Sequence, residues 1–415
     1  MQNEILSNIN NPQFLEQLYK SNKQLFTSEF KKIYHSVQEN IVAQVWFARL
    51  QNNFTEEEKI VKNKASFIVI IISCLMACVV IQFPKIFGFN EEVFLTRNIS
   101  FLVFPFFSFY FFWLNKDSLK KQIVVLSCFI ISIGFINLLP NQHSDTTLLS
   151  QIHLPLFIWF LVGISFVGSN LNSTTYRINF LRLNADVLVM GGLLFIASMI
   201  LSGMTIALFG LIGMNIEKLF FDYFFQWILV SIPLLSVYIV QSNPKLVNKI
   251  SPLIAKIFSP IILVTLLVYL IAIITSNKTP YNNREFLLIF NGLILAVMVM
   301  IAFSLAENAR THKHTWEILV LFALSVVTII INIIAVSAIL LRIGSLGITP
   351  NRTAVLGGNI LMLIHLILIS FALFKSYKNQ INIDKVEKSI TSYLPIYIIW
   401  TIIVTFVFPL LFNFR

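Results

Sequence analysis

Along most of this chain apolar residues fill long runs, and polar residues gather in the short stretches between them. The runs lack the every-second-residue alternation of barrel strands, so they read as helices. A hydrocarbon layer about 30 Å thick needs roughly 20 helical residues to cross it, and apolar runs of about that length are candidate spans. Spans are expected near Ala65–Phe83, Asn98–Leu114, Gln122–Leu139, Ile152–Ser169, Val187–Gly213, Phe221–Val240, Ile257–Thr275, Phe286–Leu305, Glu317–Leu341, Arg352–Phe374 and Leu394–Phe412, eleven in all. Pro105 interrupts the second, which membrane helices tolerate better than soluble ones do. The expected fold class is all-α, a polytopic transmembrane helix bundle.

The first 64 residues follow another rule. Phe26, Phe30, Ile33, Val37, Ile41 and Val45 recur at steps of three and four, the pattern of an amphipathic helix. Asn11-Pro12 marks a helix start. The chain thus divides into a cytosolic helical segment, 1–64, and a transmembrane helical domain, 65–415. With no short apolar region at the beginning, the first span is expected to direct insertion itself. The segment is either a packing cap on the inner loops or a module that binds a cytosolic protein partner.

Composition agrees with the pattern: 57% of residues are hydrophobic and 12% charged, with mean hydropathy +0.81. Soluble domains carry about a quarter charged residues. The net charge of +11 would suggest nucleic acid in a soluble protein, but its placement says otherwise. Of the 30 Lys and Arg, 22 fall in the N-terminal segment and the loops on its side of the membrane. The other eight are Lys85, Arg97, Lys218, Lys278, Arg284, Arg342, Arg352 and Arg415. Cytoplasmic loops carry the basic excess, which predicts a cytoplasmic N-terminus and an external C-terminus. The lipid bilayer is the expected partner, and nucleic acid is not. In the inner loop Asn243–Phe258, Lys245, Lys249 and Lys256 share a helical face, as suits an interfacial anchor or a lipid contact.

Asp186, Asp222, Glu285 and Glu317 all fall at expected span ends, which argues against a carboxylate-coupled antiporter. His312 and His314, two apart, cannot share a helical face, and no paired metal-ligand motif occurs, so no metal or cofactor is expected. Cys74, Cys78 and Cys128 read as small packing groups. No nucleophile and base can be assembled, so an enzyme is not expected. At membrane depth there remain Asn137, Asn291, Asn332, Asn359 and His365. His365 is either a buried histidine bonded to a neighbour or a group that contacts a ligand or carries a proton.

One junction stands out, Leu-Leu-Arg-Ile-Gly-Ser-Leu-Gly-Ile-Thr-Pro-Asn-Arg at 340–352. Arg342 closes span nine, Arg352 opens span ten, and Gly344, Gly347 and Pro350 are expected to stop one helix from continuing through. Thr349 is placed to cap the next helix, with Pro350 in its first position. Unpaired N–H groups beside a guanidinium suit a headgroup, phosphate or carboxylate. The candidate ligand-binding residues are therefore Arg342, Thr349, Asn351, Arg352 and His365. The alternative is an internal salt bridge from the arginines to Glu285 or Asp222.

Here the chain resembles a family of uncharacterised bacterial inner-membrane proteins that carries a domain of unknown function. The matching residues are Leu341, Arg342, Ile343, Gly347, Ile348, Thr349 and Arg352. The stretch at 15–26 looks like the lead-in of Bacteroidota members. The resemblance implies a multi-pass protein of the bacterial inner (cytoplasmic) membrane and supplies no reaction. The spans, the basic turn and the cytosolic segment leave three function classes: a permease- or flippase-like protein handling an anionic or lipid-like ligand, a non-transporting sensor or assembly protein acting through the N-terminal segment, and, third because no catalytic arrangement can be assembled, an intramembrane enzyme acting on a lipid-linked substrate.

Overall fold

The computed structural model describes residues 1–21, 26, 29–30, 32–115, 118–140, 144–211, 215–242, 259–264, 266–268, 270–271, 284–308, 315–378 and 383–414. The chain falls into two compact units, Met1–Val69 and Ile70–Arg415. The lysine-bearing loop at 243–258 and His312 and His314 lie outside the described residues, as do the side chains of Glu285 and Glu307.

The first unit contains α1 (Gln2–Ser7), α2 (Pro12–Ser21) and the first part of α3 (Ile41–Ile81) around a core of Ile5, Leu15, Phe26, Phe30 and Trp46. The rings of Tyr19, Phe30 and Trp46 lie 5.2–5.8 Å from that of Phe26. The expected single stripe from Phe26 to Val45 is broken. The chain turns at Tyr34–Ser36, and α3 starts afresh after Asn40, whose Oδ1 accepts from the Val42 and Ala43 amides. The restart resets the buried face to Ala43, Trp46 and Leu50, leaving Ile41 and Val45 exposed.

Among the described residues of the second unit eight helices are long and apolar enough to cross a membrane. They are α4 (Glu91–Asn115), α5 (Leu119–Leu138), α6 (Asp145–Val167), α7 (Thr174–Leu211, of which Thr174–Gly203 qualifies), α8 (Glu217–Ser242), and three C-terminal ones. Shorter apolar helices lie at Ala65–Ile81, within α3; at Ser259–Val268, here α9; and at Phe290–Leu305, within α10 (Arg284–Asn308). The C-terminal helices are α11 (Thr315–Leu346), α12 (Pro350–Tyr377) and α13 (Ile383–Ile402), the last continued by a wide turn at Ile403–Val407 and a final α14 (Phe408–Leu411). Among the described residues there is no strand.

Apolar side chains cover these helices on both sides. On α5, Val125, Phe129, Ser132 and Ile136 form the buried face, while Val124, Leu126, Ile130 and Ile131 are exposed. An exposed aliphatic surface of this kind is what lipid contact requires. Among the described residues one extensive core joins α10, α11, α12 and α13 through Phe290, Ile301, Leu324, Ile331, Leu366 and Ile390. Small residues let helices approach closely. A Cβ at Gly357 on α12 would fall on the Trp400 ring of α13, and one at Gly163 on α6 would come 2.9 Å from the Phe180 ring of α7.

Several helices begin before the expected span, α13 at Ile383 rather than Leu394 among them, and two boundaries bear on the site. Helix α11 runs through Gly344 to Leu346, and Gly347 ends it in the left-handed conformation, φ 79°. A single glycine inside a helix costs only about 1 kcal/mol, whereas a positive φ favours glycine. Helix α7 begins at Thr174, well before the expected Val187. Its polar first turns satisfy their charged side chains by tertiary contacts that hydropathy alone does not reveal, and Asp186, expected at a span end, lies about 18 Å along the helix at 1.5 Å per residue, only 3% exposed.

Candidate functional site

The turn between α11 and α12 is built by its own backbone. The Gly347 amide donates to the Ile343 carbonyl at 2.9 Å, closing α11. Thr349 caps α12 as its sequence position predicts: its Oγ1 accepts from the Arg352 amide at 3.3 Å, and Pro350 follows in the first turn. The guanidinium of Arg352 folds back, its Nη1 donating to the carbonyls of Leu346 (2.9 Å) and Gly347 (2.6 Å). A cation at a helix C-terminus meets the negative end of the helix dipole and the carbonyls left without intrahelical partners. Arg352 therefore caps the preceding helix rather than reaching Asp222; the side chain of Glu285, the other carboxylate of that alternative, lies outside the described residues. Arg342 and Asn351 are half-buried at the same turn.

His365 does not join this group. It sits fifteen residues after Pro350, about 22 Å along α12. It is 2% exposed, lies flat against Tyr393 of α13 with centroids 4.4 Å apart, and its Nδ1 stands 3.0 Å from the Tyr397 hydroxyl. The structure thus gathers Arg342, Thr349, Asn351 and Arg352 and places His365 in a separate aromatic contact between α12 and α13.

The asparagines at membrane depth find one another. Asn359 on α12 donates to Asn291 Oδ1 on α10 at 2.7 Å, and Asn332 on α11 donates to the Asn359 carbonyl at 3.1 Å. Asn98 on α4 and Asn137 on α5 exchange two amide bonds, 3.0 and 2.8 Å. Beside them Arg97 donates to the carbonyls of Asn137 and Pro140, at the end of α5. The arrangement repeats that of Arg352 on α11.

Sequence reasoning missed two features. Arg182 of α7 and Glu387 of α13 form an ion pair at 3.0 Å with side chains 12% and 9% exposed, and Arg182 also donates to Asn179 Oδ1. Both partners of the pair fall between the expected spans. The four-residue spacing of Arg182 and Asp186 was a faint sign that the helix starts early. The second feature is a cavity of about 190 Å³ lined by Trp159 and Gly163 of α6, Phe180 of α7, and Leu394, Pro395 and Ile398 of α13, with Arg177 at its border. Its lining is scattered over three helices, so no local motif announces it.

Among the described residues no cluster of three His, Cys, Asp or Glu could hold a metal ion. The three cysteines are free thiols. The architecture defines an α-helical chain of membrane type. Comparison with protein-family models, with curated proteins and with solved structures yields no match in any of the three.

Two outcomes test this geometry. If Arg352 is a cap, Arg352→Gln lowers detergent melting stability by about 1 kcal/mol, the order of one hydrogen-bonding group, and added phosphate stabilises wild type and variant alike. Stabilisation of the wild type alone would instead mark an anion site. For the buried pair, Glu387→Leu removes one partner of the ion pair and costs about 3 kcal/mol or more, whereas Arg182→Met with Glu387→Leu loses less than the two single changes summed. Additive losses in that double-mutant cycle, read by melting, would contradict a coupled pair.

Proposed function

We propose that the protein is an eleven-span bacterial inner-membrane protein, N-terminus cytoplasmic and C-terminus outside, whose membrane domain handles an anionic, lipid-like ligand in the manner of a permease or flippase. The eight long helices and three shorter apolar ones fall where the eleven runs lie in the sequence. The basic residues, 22 against eight, support the orientation. The turn motif at Leu341–Arg352 supports the bacterial inner membrane through its resemblance.

The observation that carries the ligand class is the contrast between the polar groups and the cavity. Asn291, Asn332 and Asn359 bond to one another, and the His365 ring is closed in by two tyrosines. A path for an aqueous solute needs polar groups open to water at that depth. The cavity instead offers aromatic and aliphatic walls with one arginine at its border, an environment for an amphiphile. A second reading, a sensor or assembly protein that acts through residues 1–64, is favoured by the separate aromatic core of the N-terminal unit.

Single cysteines introduced at 1–64, 242–256 and 375–393 are expected to be labelled from the cytoplasmic side and one at 415 from outside; a cytoplasmic C-terminus would end the eleven-span topology. For activity, the purified protein is reconstituted into vesicles holding a fluorescent phosphatidylglycerol, and an impermeant reductant is added. Lipid translocation carries bleaching well beyond the outer-leaflet half. Folded protein that leaves bleaching at that half would favour the sensor reading.

A further inference from the structure

The border of the cavity contains a connection between backbone chemistry and charge. Pro395 lies inside α13 and has no N–H, so the carbonyl four residues earlier, Thr391, loses its helical partner. Arg177 supplies one: its Nη1 donates to the Thr391 carbonyl at 3.2 Å, and its Nε donates to the Leu171 carbonyl at 2.7 Å. Both acceptors are neutral. The two bonds fix the guanidinium between α7 and α13 while leaving its charge without a carboxylate among the described residues. The neighbouring Arg182 is different, because Glu387 answers its charge.

Behind this fixed cation the walls are apolar and rigid. Trp159 is held by its indole N–H, which donates to Asn184 Oδ1 at 2.8 Å, and Asn184 in turn donates to the Phe180 carbonyl at 2.6 Å. The polar edge of the indole is thereby engaged away from the cavity. Gly163 lets the Phe180 ring lie against α6, since a Cβ there would meet it at 2.9 Å. At about 30 Å³ per water-sized group, 190 Å³ holds roughly six such groups. That suits a segment of one acyl chain.

We propose that this cavity is a binding site for an anionic phospholipid, with part of one acyl chain against Trp159, Phe180 and Ile398 and the headgroup phosphate on the guanidinium of Arg177. A planar guanidinium pairs with phosphate through charge-assisted bonds, and anionic headgroups gather at basic residues near the membrane surface. In the proposed orientation Arg177 lies at the cytoplasmic end of its helix, so the lipid comes from the inner leaflet. The site rests on the lipid-like class of ligand proposed above, and its test reads binding, so a protein that binds without translocating remains distinguishable from one that does neither.

The full-length protein, purified in a neutral detergent, is titrated with phosphatidylglycerol, phosphatidylcholine or palmitate, and bound lipid is counted by native mass spectrometry. Phosphatidylglycerol is expected to bind at least about tenfold more tightly than phosphatidylcholine. Arg177→Gln removes that preference, and Ile398→Trp, which fills the cavity, weakens binding by a similar factor. Equal affinity for the two phospholipids, or full retention of the preference in Arg177→Gln, would overturn the proposal. Palmitate binding as tightly as phosphatidylglycerol would overturn the phospholipid in favour of a fatty acid. Because either substitution can disturb packing, wild-type protein is also exposed to phosphatidylglycerol with a photoreactive acyl chain. Labels on the cavity stretches of α6, α7 and α13 are the expected result, and labels confined to other helices would contradict it.

Discussion

In hydrocarbon a hydrogen-bonding group has no water to fall back on, and each one left unpaired costs several kcal/mol. That constraint accounts for nearly every polar contact in the membrane domain. Asn98 and Asn137 exchange two amide bonds, and Asn291, Asn359 and Asn332 form a chain across three helices. Arginines follow the same rule at helix ends. Arg97 and Arg352 each take two carbonyls at or just beyond a helix C-terminus, where the negative end of the helix dipole favours a cation.

Helix α13 is where these obligations converge. Glu387 pairs with Arg182, the Thr391 carbonyl freed by Pro395 takes Arg177, and Tyr393 and Tyr397 enclose His365. Further on, Trp400 fills the space that Gly357 leaves, and in the wide turn Ile403–Val407 the Thr405 carbonyl accepts from Ser150 of α6 at 2.7 Å. Proline and wide turns weaken the internal hydrogen bonding of a helix, and neighbouring helices restore it. The irregularity of α13 is therefore matched by α6, α7 and α12 around it, and the cavity lies where three of these helices meet.

These contacts separate residues engaged by other protein groups from a guanidinium met only by backbone beside a cavity. Arg352 and the amides of Asn98, Asn137, Asn332 and Asn359 donate to protein groups, and His365 meets Tyr397 through Nδ1, while Asn332 Oδ1 and His365 Nε2 are buried without a hydrogen-bond partner among the described residues. Arg177 is engaged only by neutral carbonyls, beside an apolar cavity. The contrast moves the strongest candidate for ligand contact away from the turn between α11 and α12 and toward the border between α6, α7 and α13.

The sequence by itself determined the helical class, the positions of the apolar runs, the cap at Thr349 with Pro350, and the asparagines that had to be satisfied, because hydropathy, local capping chemistry and residue type are properties of neighbours along the chain. It placed the start of α7 too late and read one continuous stripe through Phe26 to Val45, because polar helical turns and a local restart at Asn40 leave hydropathy nearly unchanged. The partners were decided only in three dimensions. Nothing local joins Arg182 to Glu387, Asn359 to Asn291 or Arg177 to Thr391, and a cavity between helices exists only once they pack. Charge and hydrogen-bonding capacity are written in each residue, but which group answers them depends on the helix that happens to lie within about 3 Å.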